Sequence, residues 1–158
     1  MEIKKGDFLI KTGQICQYYY FIQSGSFKQY KILENPDESI LNLYIENDWM
    51  SEYSSFIQQR PSETIIESAE NSQLFALSVY AFHELINLSN IFFQLGRMFG
   101  QAIQNQEYQN NKLSPEEKYK MLINLKPMII QKFSLKIIAS FLGMTPETLS
   151  RVRRKIVS

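Results

Sequence analysis

Cysteine and histidine each occur once in the 158 residues, as Cys16 and His83. A single cysteine excludes an internal disulfide and any cysteine-held iron–sulfur cluster within one chain. A single histidine excludes a metal centre of several imidazoles, and a zinc site that relies on a cysteine–histidine set. No run is apolar over membrane-spanning length and no signal-peptide pattern is present, so a soluble, cytoplasmic protein with no membrane partner is expected. Neither sign of charge is in excess: Lys and Arg number 17, Asp and Glu 16, for a net +1, which alone argues against nucleic acid. No pair of carboxylates is placed to suggest acid–base work, so no enzyme is expected. Cys16 reads as a redox handle or as a plain small residue. His83 reads as a surface helix residue.

What is present begins with aromatics: nine Tyr and eleven Phe. Over the first 80 or so residues they sit in short apolar or alternating runs at Asp7–Ile10, Tyr18–Ile22, Ser26–Leu33, Ser39–Ile45, Thr64–Ala69 and Gln73–Leu77. Such runs favour a pleated surface. Turn residues punctuate them at Gly6, Gly13, Gly25, 35–37, Asn47-Asp48 and Asn71-Ser72. Short strands at this spacing predict an antiparallel sandwich or jelly-roll barrel. The aromatic run Tyr18–Phe21 reads as core plus barrel surface, the alternative being a stacking platform for bases.

The periodicity becomes helical after Ser78. Val79–Leu88 reads as one short helix. From Ile91 to about Lys112 a longer one is expected, with Leu95, Met98 and Ala102 near heptad spacing and Phe92, Phe93 and Phe99 widening the apolar face. Two apolar faces suit a dimer helix that also packs on its own barrel; a monomeric core helix is the alternative. Ser114-Pro-Glu-Glu117 opens the next helix with a capping box. Tyr119, Met121, Leu122 and Leu125 on it would floor the C-terminal module.

The last stretch, Phe133 to Ile156, reads as two short helices joined by a tight turn. Ser134 can cap a helix with Leu135, Ile138, Ala139 and Leu142 at helical spacing, and Gly143 follows where a positive φ would end it. Thr145-Pro146-Glu147 supplies an N-cap, a proline at the first helical position and an acid near the positive helix end. Leu149, Val152 and Ile156 form the buried stripe, leaving Arg151, Arg153, Arg154 and Lys155 outside. This is the helix-turn-helix pattern, whose second helix enters the DNA major groove. From Leu113 onward nine cations face three glutamates, a net of +6, so the remainder of the chain carries −5. That split suggests a basic binding module on an acidic domain. The plainer reading of Arg151–Lys155 is the solvated basic end of a terminal helix.

Lys5-Gly-Asp-Phe-Leu-Ile-Lys-Thr-Gly13, Tyr20-Phe-Ile-Gln-Ser-Gly25, Asn47-Asp-Trp-Met-Ser-Glu-Tyr-Ser-Ser-Phe56 and Leu142-Gly-Met-Thr-Pro-Glu-Thr-Leu-Ser-Arg151 are the segments that carry a family likeness. In their order the chain resembles the Crp/Fnr family of bacterial transcription regulators. The resemblance implies an α+β fold: an antiparallel jelly-roll β-barrel sensor of the cyclic-nucleotide-binding type over 1–90, a long dimerisation helix over 91–112 and a helix-turn-helix module over 113–158. It implies that the chain starts just inside the usual barrel and that the wing is short or absent. The implied partners are double-stranded DNA at a palindromic site, a second copy of the chain, and RNA polymerase.

Carried onto this sequence, the family's base-reading positions are Pro146, Glu147 and Arg151. Arg151 can donate to guanine and Glu147 can accept from cytosine, while Pro146 replaces an arginine found in several members. Phosphate contacts fall to Ser134, Lys136, Thr145, Thr148, Ser150, Arg153 and Arg154. The effector pocket falls on Ser51, Glu52, Arg60, Ser62 and Glu63. There Glu52 matches the ribose-binding glutamate, Ser51 replaces a loop glycine, and Ser62 stands where a phosphate arginine is expected. Glu63 beside a bound phosphate would cost ~1–4 kcal/mol, which disfavours cyclic AMP. No cofactor is identified, and the effector is an unidentified small molecule or none. Two other readings stay open: a small-ligand sensor acting through protein contacts without DNA, and, more remotely, a cupin-like enzyme on the same barrel.

Overall fold

Eight strands carry the aromatic first half: β1 Glu2–Ile3, β2 Phe8–Ile10, β3 Tyr18–Ser24, β4 Phe27–Ile32, β5 Glu38–Tyr44, β6 Trp49–Met50, β7 Ile65–Ser68 and β8 Ser72–Ser78. They come from a computed structural model that describes residues 1–34, 37–92, 94 and 112–157. A six-residue helix, α1 (Tyr53–Gln58), lies between β6 and β7. Helices α2 (Val79–Leu88), α3 (Pro115–Leu125), α4 (Pro127–Lys132), α5 (Leu135–Phe141) and α6 (Pro146–Val157) follow, with a short 3₁₀ turn at Asn90–Phe92.

All six runs read from the sequence are strands, within a residue or two of the expected bounds. The two-residue strands β1 and β6 are too short to leave a period and were not expected. Hydrogen bonding produces two four-stranded sheets, β1-β8-β3-β6 and β2-β7-β4-β5, with every pair antiparallel. The fold is therefore the antiparallel sandwich, one of the two forms the strand spacing predicts, in place of the jelly-roll barrel that the resemblance implied. Ile22, Phe27, Ile66, Leu74, Met50 and Phe56 are among its buried core. Gly25 has φ +104°, and a Cβ there would lie 2.0 Å from Ser72 Oγ, so only glycine lets β3 turn into β4 against β8.

In β4 the pairing with β5 shifts register between Gln29 and Tyr30, and both residues are buried. Gln29 belongs to a buried polar network: its amide donates to Thr64 Oγ1 (2.9 Å) and its carbonyl accepts from Tyr44 Oη (2.8 Å) and Asn42 (2.9 Å). Full pairing removes the cost of burying those groups. Tyr30 joins Ile40, Leu43 and Ile65 in a second cluster, which also holds Leu122, Ile129, Phe133, Ile138, Phe141 and Leu149 from the helices. The C-terminal helices thus pack on the sandwich itself.

Helix starts follow their caps. Ser114 accepts from Glu117 N while the Glu117 carboxylate accepts from Ser114 N, the reciprocal box read in the sequence. Ser134 caps α5, and Thr145 Oγ1 accepts from Thr148 N at the start of α6. Gly143 has the expected positive φ, +67°. One expectation fails: Leu125 is 63% exposed and does not floor the module, because Pro127 ends α3 there and opens α4, which buries Ile129 and Phe133 instead. The long helix expected over 91–112, with its seam at Leu95, Met98 and Ala102, lies outside the described residues beyond the 3₁₀ turn. No described helix is long and apolar enough to cross a membrane.

Candidate nucleic-acid interface and sandwich pocket

The helical pair α5 and α6 is joined by residues 142–145. Leu149 is fully buried on α6, and Val152 and Ile156 pack behind it, so the stripe read from the sequence is the inner face. Helical geometry then turns Glu147, Arg151, Arg153, Arg154 and Lys155 outward, and all five are exposed. Pro146 is half-buried at the first helical position. Glu147 and Arg151 share a face at i, i+4, yet the Arg151 guanidinium turns to Thr148 Oγ1 (3.5 Å) and not to Glu147. Thr148 in turn accepts from the Thr145 hydroxyl (3.1 Å). A chain of two hydroxyls therefore orients Arg151.

The other cations are distributed differently from the sequence picture. Lys155 is drawn back to Glu116 on α3 (2.7 Å), which also takes Lys120 (2.9 Å). Those two hydrogen bonds, Lys155's first, hold the Glu116 carboxyl down at about 2. Lys126 pairs with Asp48 (2.7 Å), and Lys132 bridges Glu46 and Glu70 (2.7 Å to each). Burial alone would lower the Lys132 ammonium, but the bonds to Glu46 and Glu70 outweigh it and hold its pKa above the ordinary lysine value. Lys136, 82% exposed in its side chain, lies 3.9 Å from Asp37. Two of the nine cations, Lys126 and Lys132, thus join the module to the sandwich instead of facing outward. Ser140 adds neutral bonds, accepting from Ile40 N (3.1 Å) and donating to the Glu38 carbonyl (3.1 Å). Ser134 and Thr145, expected at phosphates, are exposed but already cap α5 and α6; Thr148 and Ser150 are half-buried.

The expected effector residues separate into two groups. A pocket of about 320 Å³ is lined by Glu52, Ser54, Ser55, Gln58, Arg60, Glu63, Thr64 and Lys31. Glu52 is buried and caps α1, accepting from Ser55 N (2.7 Å). Arg60 is exposed at the edge, and its backbone carbonyl accepts from the Ser55 hydroxyl. Glu63 pairs with Lys31 (2.8 Å), whose ammonium holds the carboxyl below the ordinary range. Lys31 was missed, since its alternation in β4 reads as solvent-facing. Ser51 and Ser62 do not line the pocket. Ser51 donates to the Tyr18 carbonyl (3.1 Å) and meets Cys16 Sγ (3.3 Å); Ser62 Oγ donates to the Thr64 carbonyl (2.8 Å) and accepts from Thr64 N (3.0 Å). Cys16 is buried in this hydrogen-bonded set. Among the described residues no group of acidic, histidine and cysteine side chains could hold a metal ion.

Two antiparallel sheets with a helix-bearing pocket between β6 and β7, followed by a helical module, define a class. The chain belongs to the cyclic nucleotide-binding domain family, whose sequence pattern matches residues 1–89. Over 99% of its length it shares the fold of solved Crp/Fnr-type regulators. FixK2 from Bradyrhizobium japonicum matches with a TM-score of 0.77 at 12% identity, covering 99% of this chain and 83% of that one. The catabolite activator protein of Thermus thermophilus gives 0.59 at 17% identity over 99% and 77%. The c-di-GMP responsive global regulator CLP of Xanthomonas campestris gives 0.68 at 16% identity over 99% and 85%. No curated protein matches the chain by sequence.

Proposed function

We propose that the chain is a sequence-specific, DNA-binding transcription regulator acting as a homodimer in the cytoplasm. Residues 1–90 are its sensor, 91–112 carry its dimer contacts, and 113–158 are a helix-turn-helix module. The observation that carries this reading is α6: its apolar stripe is inside, while Arg151, oriented by Thr148, and Arg153 point outward. Arg151 and Glu147 read base edges, and Arg153, Arg154, Lys136 and the cap hydroxyls of Ser134 and Thr145 hold phosphates, with Thr148 and Ser150 beside them. Pro146 has no side-chain donor, so its base pair is read by apolar contact or left unread. A single module makes too few contacts, and two copies place two such helices one DNA turn apart on a palindrome.

Cyclic AMP is not the effector in this reading, which leaves an unidentified small molecule or none. What supports this is that Ser62 stands where the family's phosphate arginine is expected, with its hydroxyl committed to Thr64, and that Glu63 beside it adds a carboxylate, although Arg60 and Lys31 line the same pocket. The test is selection of a duplex from random sequence, followed by anisotropy titrations at several salt concentrations. Arg151→Ala should remove the preference for the selected site, and Arg153→Ala should weaken binding to all duplexes alike and flatten the salt slope by about one. Absence of duplex binding by the parent at low salt refutes the regulator reading and leaves the sensor that works through protein contacts.

A further inference from the structure

Lys118 is a lysine on the wrong side of its helix. It lies next to Tyr119 and four residues before Leu122 on α3, and like both of them it is buried, at 7% exposure. Its Nζ donates to the carbonyl of Leu142 (3.2 Å), the residue that ends α5. A Cβ built on Gly143 would meet that same Nζ at 3.8 Å, so the ammonium rests directly against the turn. The end of a helix leaves carbonyls without intrahelical donors and carries partial negative charge, which a buried ammonium satisfies on both counts.

The same helix also touches the far end of α6, through Glu116 and Lys155. Helix α3 therefore holds the α5–α6 unit at two places: the turn where α6 begins and the last turn of α6. Thr145, which caps α6, follows the Lys118-bound carbonyl by three residues. From this we infer that Lys118 is a positioning residue: by capping α5 across the module it fixes the turn that aims α6, and with it the direction of Glu147 and Arg151. This rests on the proposed DNA-reading role of α6. A loss at Lys118 would misdirect the base-reading side chains while sparing phosphate contacts, which tolerate small shifts.

The test uses the full chain carrying Lys118→Met, which keeps the apolar stem and removes the charge, with Ile129→Val as a control for lost packing in the same module. Without DNA, amide exchange is followed at Gly143 and Met144, which donate to the Ser140 and Ala139 carbonyls. Exchange should quicken at least tenfold in Lys118→Met and less than threefold in the control. With DNA, the ratio of selected-site to scrambled-site affinity should fall at least tenfold, scrambled-site affinity staying within twofold. Should Lys118→Met not fold, Lys118→Gln, whose neutral amide falls short of the Leu142 carbonyl, takes its place in both measurements. Unchanged exchange at the turn overturns the inference, as does an equal loss of both affinities. If the parent binds no duplex, the regulator reading has failed, and turn exchange alone decides whether Lys118 sets the turn.

Discussion

Replacing Lys132 by methionine removes the ion bridge between the helical module and the sandwich while keeping the aliphatic stem. The Lys132 side chain is 15% exposed, and those of its partners Glu46 and Glu70 are 32% and 43% exposed. Exposed pairs contribute about 0–1 kcal/mol. Removing one member of a fully buried pair costs about 3–5 kcal/mol. Partial burial of two partners, discounted for the solvent at Glu70, puts Lys132→Met at about 1–3 kcal/mol near neutral pH. Two carboxylates that shared one cation are also left facing each other.

The pH dependence of that difference identifies its origin. Burial raises Glu46, but the hydrogen bond and charge of Lys132 together with backbone hydrogen bonds overcome it; the hydrogen bond from Lys132 is the leading influence on Glu70, and both carboxyls end below the usual range. A depressed carboxyl contributes stability above its unfolded value of about 4.3, lost as pH falls through the lower folded value. The raised Lys132 ammonium contributes below its unfolded value of about 10.4, lost as pH rises through the folded one. These are two views of one interaction and are counted once. Urea unfolding of parent and variant should therefore differ by a constant amount between about pH 5 and 10, and the difference should shrink as the pH falls below about 4. An identical difference at pH 3 and 7 would refute the electrostatic account and leave only packing of the stem.

Gly25→Ala should destabilise the chain by more than about 2 kcal/mol in the same assay, since a Cβ at φ +104° meets Ser72 within 2.0 Å; a change below 0.5 kcal/mol, order of magnitude, would contradict that close approach. Ser114→Ala breaks the capping box and should cost about 1 kcal/mol, with faster amide exchange confined to the first turn of α3. A metabolite panel read by thermal stabilisation should contain a molecule that raises the midpoint of the parent, the gain reaching about 2.7 kcal/mol at a hundredfold excess over Kd. Glu52→Ala should abolish that gain and by itself cost about 1 kcal/mol through the lost α1 cap; a gain that survives places the ligand outside this pocket.

Local features were legible because local rules set them. Alternating aromatic runs became strands, and Ser114, Ser134 and Thr145 cap the helices assigned to them, since a cap needs only a hydroxyl within three residues of its amide. Lys132 entered the sequence reading only as one of nine cations counted in a basic C-terminal module, because nothing near it in sequence signals its partners, which are 86 and 62 residues away. Lys118 was hidden by residue type, although its spacing to Leu122 already placed it on the buried stripe. Ser51 and Ser62 were placed at pocket positions by the family resemblance, and the structure turns both hydroxyls onto the backbone of their own neighbourhood. Sequence position told where the pocket cassette lies but not which side chains face into it.

The lysine–carboxylate bridges between sandwich and helices have a consequence for any titration with salt. Added ions screen Lys126–Asp48 and Lys132–Glu46/Glu70 as they screen a phosphate contact, because all are partly open to water. Raising salt would therefore loosen the docking of the helical module and, in the proposed function, weaken its grip on a duplex together. A log–log slope would then count internal bridges along with released counterions and overstate the number of phosphates held. Lys132→Met supplies part of the correction: the share of the slope that disappears with it belongs to its own bridge, and what persists is divided between Lys126–Asp48 and the duplex.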